Sequence, residues 1–273
     1  MARVTPKSLV LDLLRVTPRP VEVRRLIEVG ELFGLQPSAV RVALSRLARR
    51  GLVESDERGS YRLAPRAGVV SRLVDAWRRG DGRTRRWCGG WLCVHHPRGG
   101  GRSVRRRSQR ALARFGFREG LEGLWVRPDN LRAARASIVA DLAELGLMPG
   151  AETFVGRGFA AATEAGLRGT LWPLARLRAG WSDALAALER SRGRLRALPP
   201  GEALVESFLV GGEAIRVLAT DPLLPDEILD GAERRALGEA MRSYDGLGKT
   251  IWKSYLEAPA LRGAPSHLAA AVR

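Results

Sequence analysis

Apolar residues recur at helical spacing in three blocks near the start of the chain and give way to a short alternating stretch. Lys7 to Leu14 (KSLVLDLL) predicts one short helix. Thr17-Pro18 and Pro20 close it, because a proline ring disfavours helical backbone in the residue before it. Val21 to Phe33 places Val23, Leu26, Ile27 and Leu32 or Phe33 on one face, and Gly34 suits a left-handed stop. A third helix opens at Gln36-Pro37-Ser38, where proline's missing N–H is not needed, and runs to Arg50 before Gly51. Its Val40, Ala43, Leu44 and Leu47 fall at i, i+3, i+4 and i+7, a core-facing stripe. The opposite face presents Ser38, Arg41, Val42, Ser45, Arg46 and Arg49. Leu52-Val53-Glu54, a polar turn from Asp56 to Ser60, and Tyr61-Arg62-Leu63 read as a two-stranded hairpin. Three helices and a hairpin predict a winged helix-turn-helix over residues 1–66.

Residues 67–84 read as a connecting helix, with Val70, Leu73, Val74 and Trp77 on one side and a Gly-rich joint at its end. Over residues 85–160 the pattern becomes a strand from Trp87 to Val94, a helix from Val104 to Phe115 and a short strand at Phe117. Leu124 to Val126 follows as a strand, Leu131 to Leu145 as a helix and Thr153 to Gly158 as a strand. That βαββαβ order predicts a central ferredoxin-like domain, expected to help dimerisation. Residues 161–257 carry three helical patterns, Leu171 to Arg190, Gly201 to Ala219 and Ala232 to Glu257, and predict an all-helical C-terminal domain for sensing an effector. The stretch 258–273, mostly Ala, Pro, Gly and Arg, has little with which to build a core and is expected to be disordered. The fold class expected is therefore α+β.

Charge sharpens the picture. The net charge of +17 is carried unevenly: residues 1–66 hold 13 Lys/Arg against 7 Asp/Glu, residues 67–120 hold 14 against 3, and residues 121–273 hold 19 against 19. A basic excess confined to the first 120 residues points to a polyanionic partner there. Of the 46 basic residues 43 are arginine, the mark of a GC-rich coding sequence, so position and not abundance carries the argument. Two cysteines, Cys88 and Cys93, are too few for a disulfide framework and are expected as free thiols. No run of about 18 apolar residues occurs and Met1 to Leu14 lacks a signal-peptide core, so a cytoplasmic chain with no membrane partner is expected.

A basic helix entering the major groove reads bases with its N-terminal half. Ser38, Arg41 and Ser45 are the base-reading candidates, Arg41 and Arg46 can each offer two parallel donors to guanine O6 and N7, and Gln36 is a further DNA-binding residue at the helix start. Arg49, Arg50 and the wing residues Arg58 and Arg62 are better placed for phosphates of double-stranded DNA.

Three stretches then carry a resemblance. QPSAVRVALSRLARRGLVESDERGSYRLAPRA looks like the N-terminal domain of the phenylacetate-operon repressor (PaaX) family. Arg110 to Leu131 resembles that family's central segment, and Arg216 to Leu229 (RVLATDPLLPDEIL) its C-terminal motif, in the family's order. The resemblance implies a homodimeric repressor of a catabolic operon. It would bind a palindromic operator through two recognition helices about 34 Å apart and be released by an acyl-CoA, in particular an aryl-CoA. Such an effector needs cations and an apolar slot, for which Trp172, Arg176, Arg178, Trp181 and Arg216 are the candidates. The structural alternative is a tryptophan pair in a core and an Arg216–Asp221 ion pair. Arg98 to Arg102 with Arg105 to Arg107 suits phosphates of CoA or of DNA, or is a solvated loop.

Enzyme readings fare worse. Ferredoxin-like domains resemble small metal-dependent CRISPR-associated nucleases, whose first strand ends in an aspartate, whereas this chain has Val94-His95-His96. Cys88, Cys93, His95 and His96 include zinc-ligand types, but alternation puts the two histidines on opposite faces. There is no P-loop, GxSxG or dinucleotide fingerprint, so neither catalysis, cofactor nor metal is expected. A regulator answering to a non-CoA ligand and a metal-dependent nucleic-acid enzyme are the alternatives.

Overall fold

Thr5 starts the first helix: its amide donates to the Ser8 hydroxyl at 3.1 Å and Ser8's amide returns a bond to Thr5 Oγ1 at 3.1 Å. This reciprocal cap, with proline next in line, opens α1 (Pro6–Val16) one residue before the apolar pattern does. The computed structural model describes residues 4–16, 19–56, 59–64, 68–97 and 101–257. It is α+β and divides into two compact units. One is Met1–Gly68, Ala187–Glu213 and Met241–Arg273; the other is Val69–Ala186 and Ala214–Ala240.

In the first unit, β1 (Val21–Glu22) precedes α2 (Val23–Leu32) and α3 (Pro37–Arg49), and β2 (Val53–Ser55) and β3 (Ser60–Leu63) form the hairpin. The helix expected from Val21 loses its first two residues to the sheet, where Val21 pairs with Tyr61 and Glu22 with Ser60. The strand order is β1-β3-β2. Gly34 (φ +69) reverses the chain after α2, with Leu35's amide on Gly30's carbonyl at 3.0 Å and Gly34's on Glu31's at 2.9 Å. That double bond satisfies carbonyls the helix end would leave open. Gly30 lets α2 and α3 approach closely, since a Cβ there would lie 2.8 Å from Val40 Cγ2. Leu9, Leu13, Leu26, Val29, Val40, Leu44 and Leu47 make the core, joined by Leu204 and Trp252.

Those last two come from the helical region. α8 (Leu174–Arg194), α9 (Pro200–Ala219) and α10 (Ala232–Glu257) match the expected patterns closely, with α8 running on past Arg190. Residues 161–257 nevertheless do not stand apart as one body, because the division into units falls within each of these three helices. Within the first unit, Phe208 of α9 meets Phe33 edge-on at 5.0 Å and Trp252 of α10 at 5.8 Å.

The second unit holds β4 (Trp91–His95), α5 (Arg102–Arg114), β5 (Arg118–Leu121), β6 (Leu124–Pro128), α6 (Arg135–Leu145) and β7 (Glu152–Gly156). The sheet is antiparallel in the order β5-β6-β4-β7. Trp91 to Val94 in its centre are all buried. Leu92, Val94 and Trp125 pack with Ala111, Leu112, Ile138 and Leu142 of the two helices. The first strand starts at Trp91 and not at Trp87, whose indole folds back to donate to Gly90's carbonyl at 2.6 Å. The connecting helix is broken: α4 (Gly68–Asp75) gives way to a 3-10 segment, Ala76–Arg83, interrupted at Gly80 (φ 50, ψ −135). α7 (Ala161–Gly169) was not expected; six of its nine residues are Ala, Gly or Thr, and it buries only Leu167. The tail 258–273 lies outside the described residues.

Candidate nucleic-acid interface

α3 presents its two faces as the spacing predicts. Val40, Ala43, Leu44 and Leu47 are buried, while Gln36, Ser38, Arg41, Val42, Ser45, Arg46, Arg49 and Arg50 are exposed. Val42 is 48% exposed, an apolar residue open to solvent amid polar ones. Gln36 is the N-cap, with no side-chain bond of its own, and Pro37 follows it.

The arginines of the first unit divide: Arg190, Arg192, Arg196 and Arg242 are exposed with no carboxylate in ion-pair range among the described residues, while others are matched. Arg15 sits 3.0 Å from Asp12, Arg24 3.2 Å and Arg25 2.8 Å from Glu28, and Arg194 2.5 Å from Glu206. Among the described residues, Arg41, Arg46, Arg49 and Arg50 have no carboxylate partner within ion-pair range. The helix therefore offers four uncompensated guanidinium groups, three of them on one face and the fourth at its C-cap.

The hairpin contributes less than expected. Its turn is closed by Asp56, whose Oδ1 accepts Ser60's amide at 2.8 Å. Arg62 stands directly across the strands from Glu54 and pairs with it at 2.9 Å, so its charge is partly spent inside the hairpin. Arg58 lies outside the described residues.

The five residues expected around an effector are not all alike. Trp172 precedes α8, so helical spacing does not set it beside Arg176; it is buried, donates to Gly116's carbonyl at 3.1 Å and stacks on Trp91 at 6.3 Å. Trp181 is buried and donates to Asp221 Oδ2 at 2.6 Å. Both indoles are packing residues with their N–H groups committed. Arg176, Arg178 and Arg216 are exposed.

Asp221 does not await Arg216. It also accepts Leu223's amide at 2.7 Å and faces Arg234 at 3.7 Å, and its burial pushes its carboxyl above the usual range against the pull of Arg234. It opens a segment whose carbonyls are taken one after another: Arg127 donates to Pro222 at 3.2 Å, Asn130 to Leu223 at 2.8 Å and Arg234 to Leu224 at 3.0 Å. Leu223 has φ +55, and a Cβ on Gly116 (φ +78) would lie 2.9 Å from Pro222 Cα. The DPLLP motif is thus a buried clamp; Arg127 and Asn130 escaped the sequence reading because they lie 95 and 93 residues from the carbonyls they meet, and Arg234, ten residues from Leu224, because it reads as one more exposed position of a basic helix start. Complete burial pushes the Arg127 guanidinium down to about 10, still protonated at neutral pH.

The possible metal ligands part as alternation requires. His95 is exposed, whereas His96 is buried with its Nε2 2.8 Å from Ser108 Oγ. Burial, aided by Arg105, holds the His96 imidazole below its ordinary pKa. Cys88 is exposed and Cys93 buried, both as free thiols. No group of three such side chains that could hold a metal ion occurs among the described residues. No helix among them is long and apolar enough to cross a membrane.

Residues 5–67 match the PaaX-like protein family. That is the family the sequence resembles, and the matched residues run from the cap of α1 through the hairpin. A PaaX-like match supports transcription regulation and DNA binding. A solved structure, that of the uncharacterized protein Rv0674 from Mycobacterium tuberculosis, is similar over 92% of this chain and 97% of that one, at 26% identity and a TM-score of 0.59. No curated protein matches the chain.

Proposed function

We propose that this chain is a sequence-specific transcriptional regulator whose PaaX-like N-terminal part is a winged helix-turn-helix, with α3 as the recognition helix. The observation that carries the reading is the exposed face of α3, where Arg41, Arg46 and Arg49, with Arg50 at the C-cap, have no carboxylate partner among the described residues and stand beside the small polar Ser38 and Ser45. A helix of this width fits the major groove, and its cations meet no internal competitor for guanine or phosphate. Ser38, Arg41, Ser45 and Arg46 read base edges, and Val42 is suited to a thymine methyl. Gln36 sits at the entering end, and Arg49 and Arg50 hold phosphates. Arg62 contributes in proportion to how far it leaves Glu54, and Arg58 completes the wing.

The regulator acts as a homodimeric repressor on a palindromic operator, with the ferredoxin-like sheet of the second unit helping dimerisation. An acyl-CoA releases it. The family resemblance supports that ligand class, and exposed Arg176, Arg178 and Arg216 supply cations for the phosphates. The effector works by its differential affinity for the bound and released states. The reading is regulatory and not enzymatic.

The test is a titration of the full chain against DNA from upstream of its own gene at fixed salt, repeated with a panel of acyl-CoA thioesters and their free acids. Tight binding abolished by one thioester and not by its acid is expected. Binding indifferent to every thioester removes the acyl-CoA part, and absence of any DNA binding removes the whole.

A further inference from the structure

α5 is the second cationic element of the molecule, and nothing in the proposed function uses it. Its 13 residues, RSVRRRSQRALAR, contain six arginines and no acidic residue. Ser108, Ala111 and Leu112 face the core. Arg102, Arg106, Arg110 and Arg114 recur every four residues on the side away from those three, and all are exposed. At a rise of about 1.5 Å per residue they form a cationic strip roughly 18 Å long.

Three features set this strip apart from an ordinary solvated helix face. First, among the described residues none of the four has a carboxylate in ion-pair range; Arg79, Arg86, Arg135, Arg176 and Arg178 of the same unit share that state, but only on α5 do four such arginines recur along one helix face, and other exposed arginines of the unit are matched. Arg72 is 2.8 Å from Asp141, Arg85 2.9 Å from Asp129 and Arg168 2.6 Å from Glu164. Second, each consecutive pair along the strip is a like-charge i, i+4 pair, which disfavours the helix. Third, the first turn holds arginine and no acid, against the positive end of the helix dipole. A GC-rich coding sequence explains arginine in place of lysine but not carboxylates missing from every neighbouring position.

We propose that this arginine strip of α5 is a second, sequence-independent contact for the phosphate backbone of duplex DNA. The inference rests on reading the chain as a DNA-binding protein and adds a surface to it. The face is exposed and convex, which suits an extended polyanion and not a compact nucleotide ligand held in a concave pocket. It carries no aromatic residue on which unpaired bases would stack, so a duplex fits better than a single strand. An anionic membrane would need an apolar face beside the cations, whereas Ala111 and Leu112 of α5 are in the core and Val104 is its one exposed large apolar residue.

The test is the salt dependence of binding to a duplex lacking the operator, measured for the full chain between 0.05 and 0.2 M salt. Each phosphate contact contributes about 0.9 to the slope of log affinity against log salt, so R102Q/R106Q/R110Q/R114Q should lower its magnitude by up to about 3.6 and R102Q/R106Q by up to about 1.8. Both variants should keep the far-ultraviolet spectrum and the operator preference of the parent. A fall of less than about 1 in the fourfold variant overturns the proposal, as does an unchanged slope accompanied by lost binding to anionic vesicles. If the parent chain binds no duplex at all, the DNA-binding reading itself has failed. If the parent binds and the α5 variants match it, only the α5 strip has.

Discussion

Replacing Arg127 by Met tests whether the DPLLP clamp is a structural fastening. The Arg127 guanidinium is wholly buried and donates to the carbonyls of Phe115, Pro128 and Pro222 and to Asn130 Oδ1. Methionine fills similar volume but leaves four acceptors without a donor. At roughly 1.5 kcal/mol each, that loss is about 6 kcal/mol. Against it stands relief from burying a charge: the fall from 12.5 to about 10 corresponds to a penalty of about 3 kcal/mol. The loss wins, and R127M should be destabilised by roughly 3 kcal/mol, in line with breaking other buried charged networks. In a chain of this size that lowers Tm by roughly 5–10 °C. Lysine keeps the charge but lacks the planar fork that reaches three carbonyls and an amide, so R127K should recover less than half. Thermal unfolding followed by circular dichroism and by tryptophan fluorescence is the assay. A Tm for R127M within 1 °C of the parent, or above it, would refute the reasoning, because the clamp would then be dispensable.

Other outcomes follow from the same contacts. Because burial holds His96 below its ordinary pKa, the unfolded chain takes up the proton more readily, so stability is full above about pH 6.5 and declines as pH falls through the folded value. H96Q should flatten that decline in a urea-midpoint series between pH 7.5 and 5. E54Q releases Arg62 and removes a negative charge from the hairpin, and should tighten duplex binding by roughly two- to fivefold at low salt, since an exposed pair is worth under about 1 kcal/mol; weaker binding would argue that the pair orders the wing. G30A gains helix propensity of about 1 kcal/mol but sets a methyl 2.8 Å from stiff, fully buried Val40, so a net loss of roughly 1–2 kcal/mol is expected. V40A should cost less in the G30A background than alone, and simple additivity in urea unfolding would count against the contact.

Much of the architecture is readable where information is local. α3 is the clearest case, since its stripe, proline start and glycine stop all lie within sixteen residues, and the exposed face follows by elimination. α10 is delimited correctly by Ala232 and Glu257 for the same reason. What escapes is what depends on distant partners. β1 is two residues long and exists because β3 offers Ser60 and Tyr61 to pair with, a fact invisible in VEVRRL. α7 has too few apolar residues to show a period. Trp172 and Trp181 stand nine apart around Pro173 and look like two sides of a pocket, but their partners Gly116 and Asp221 lie 56 and 40 residues away. The unpaired state of the α3 and α5 arginines is equally beyond a sequence reading, because a carboxylate three strands away counts as much as one at i+4.

The central claim is that α3 chooses the DNA sequence. The measurement that tests it most directly is the affinity ratio between an operator-containing duplex and a scrambled one at fixed salt, for the parent chain and for R41A/R46A. Each well-made arginine–guanine pair contributes about 1–3 kcal/mol of discrimination. The double variant should therefore lose roughly 30-fold or more of that ratio while unfolding at the parent's temperature. A ratio preserved in the double variant would contradict the account, whatever happened to its overall affinity.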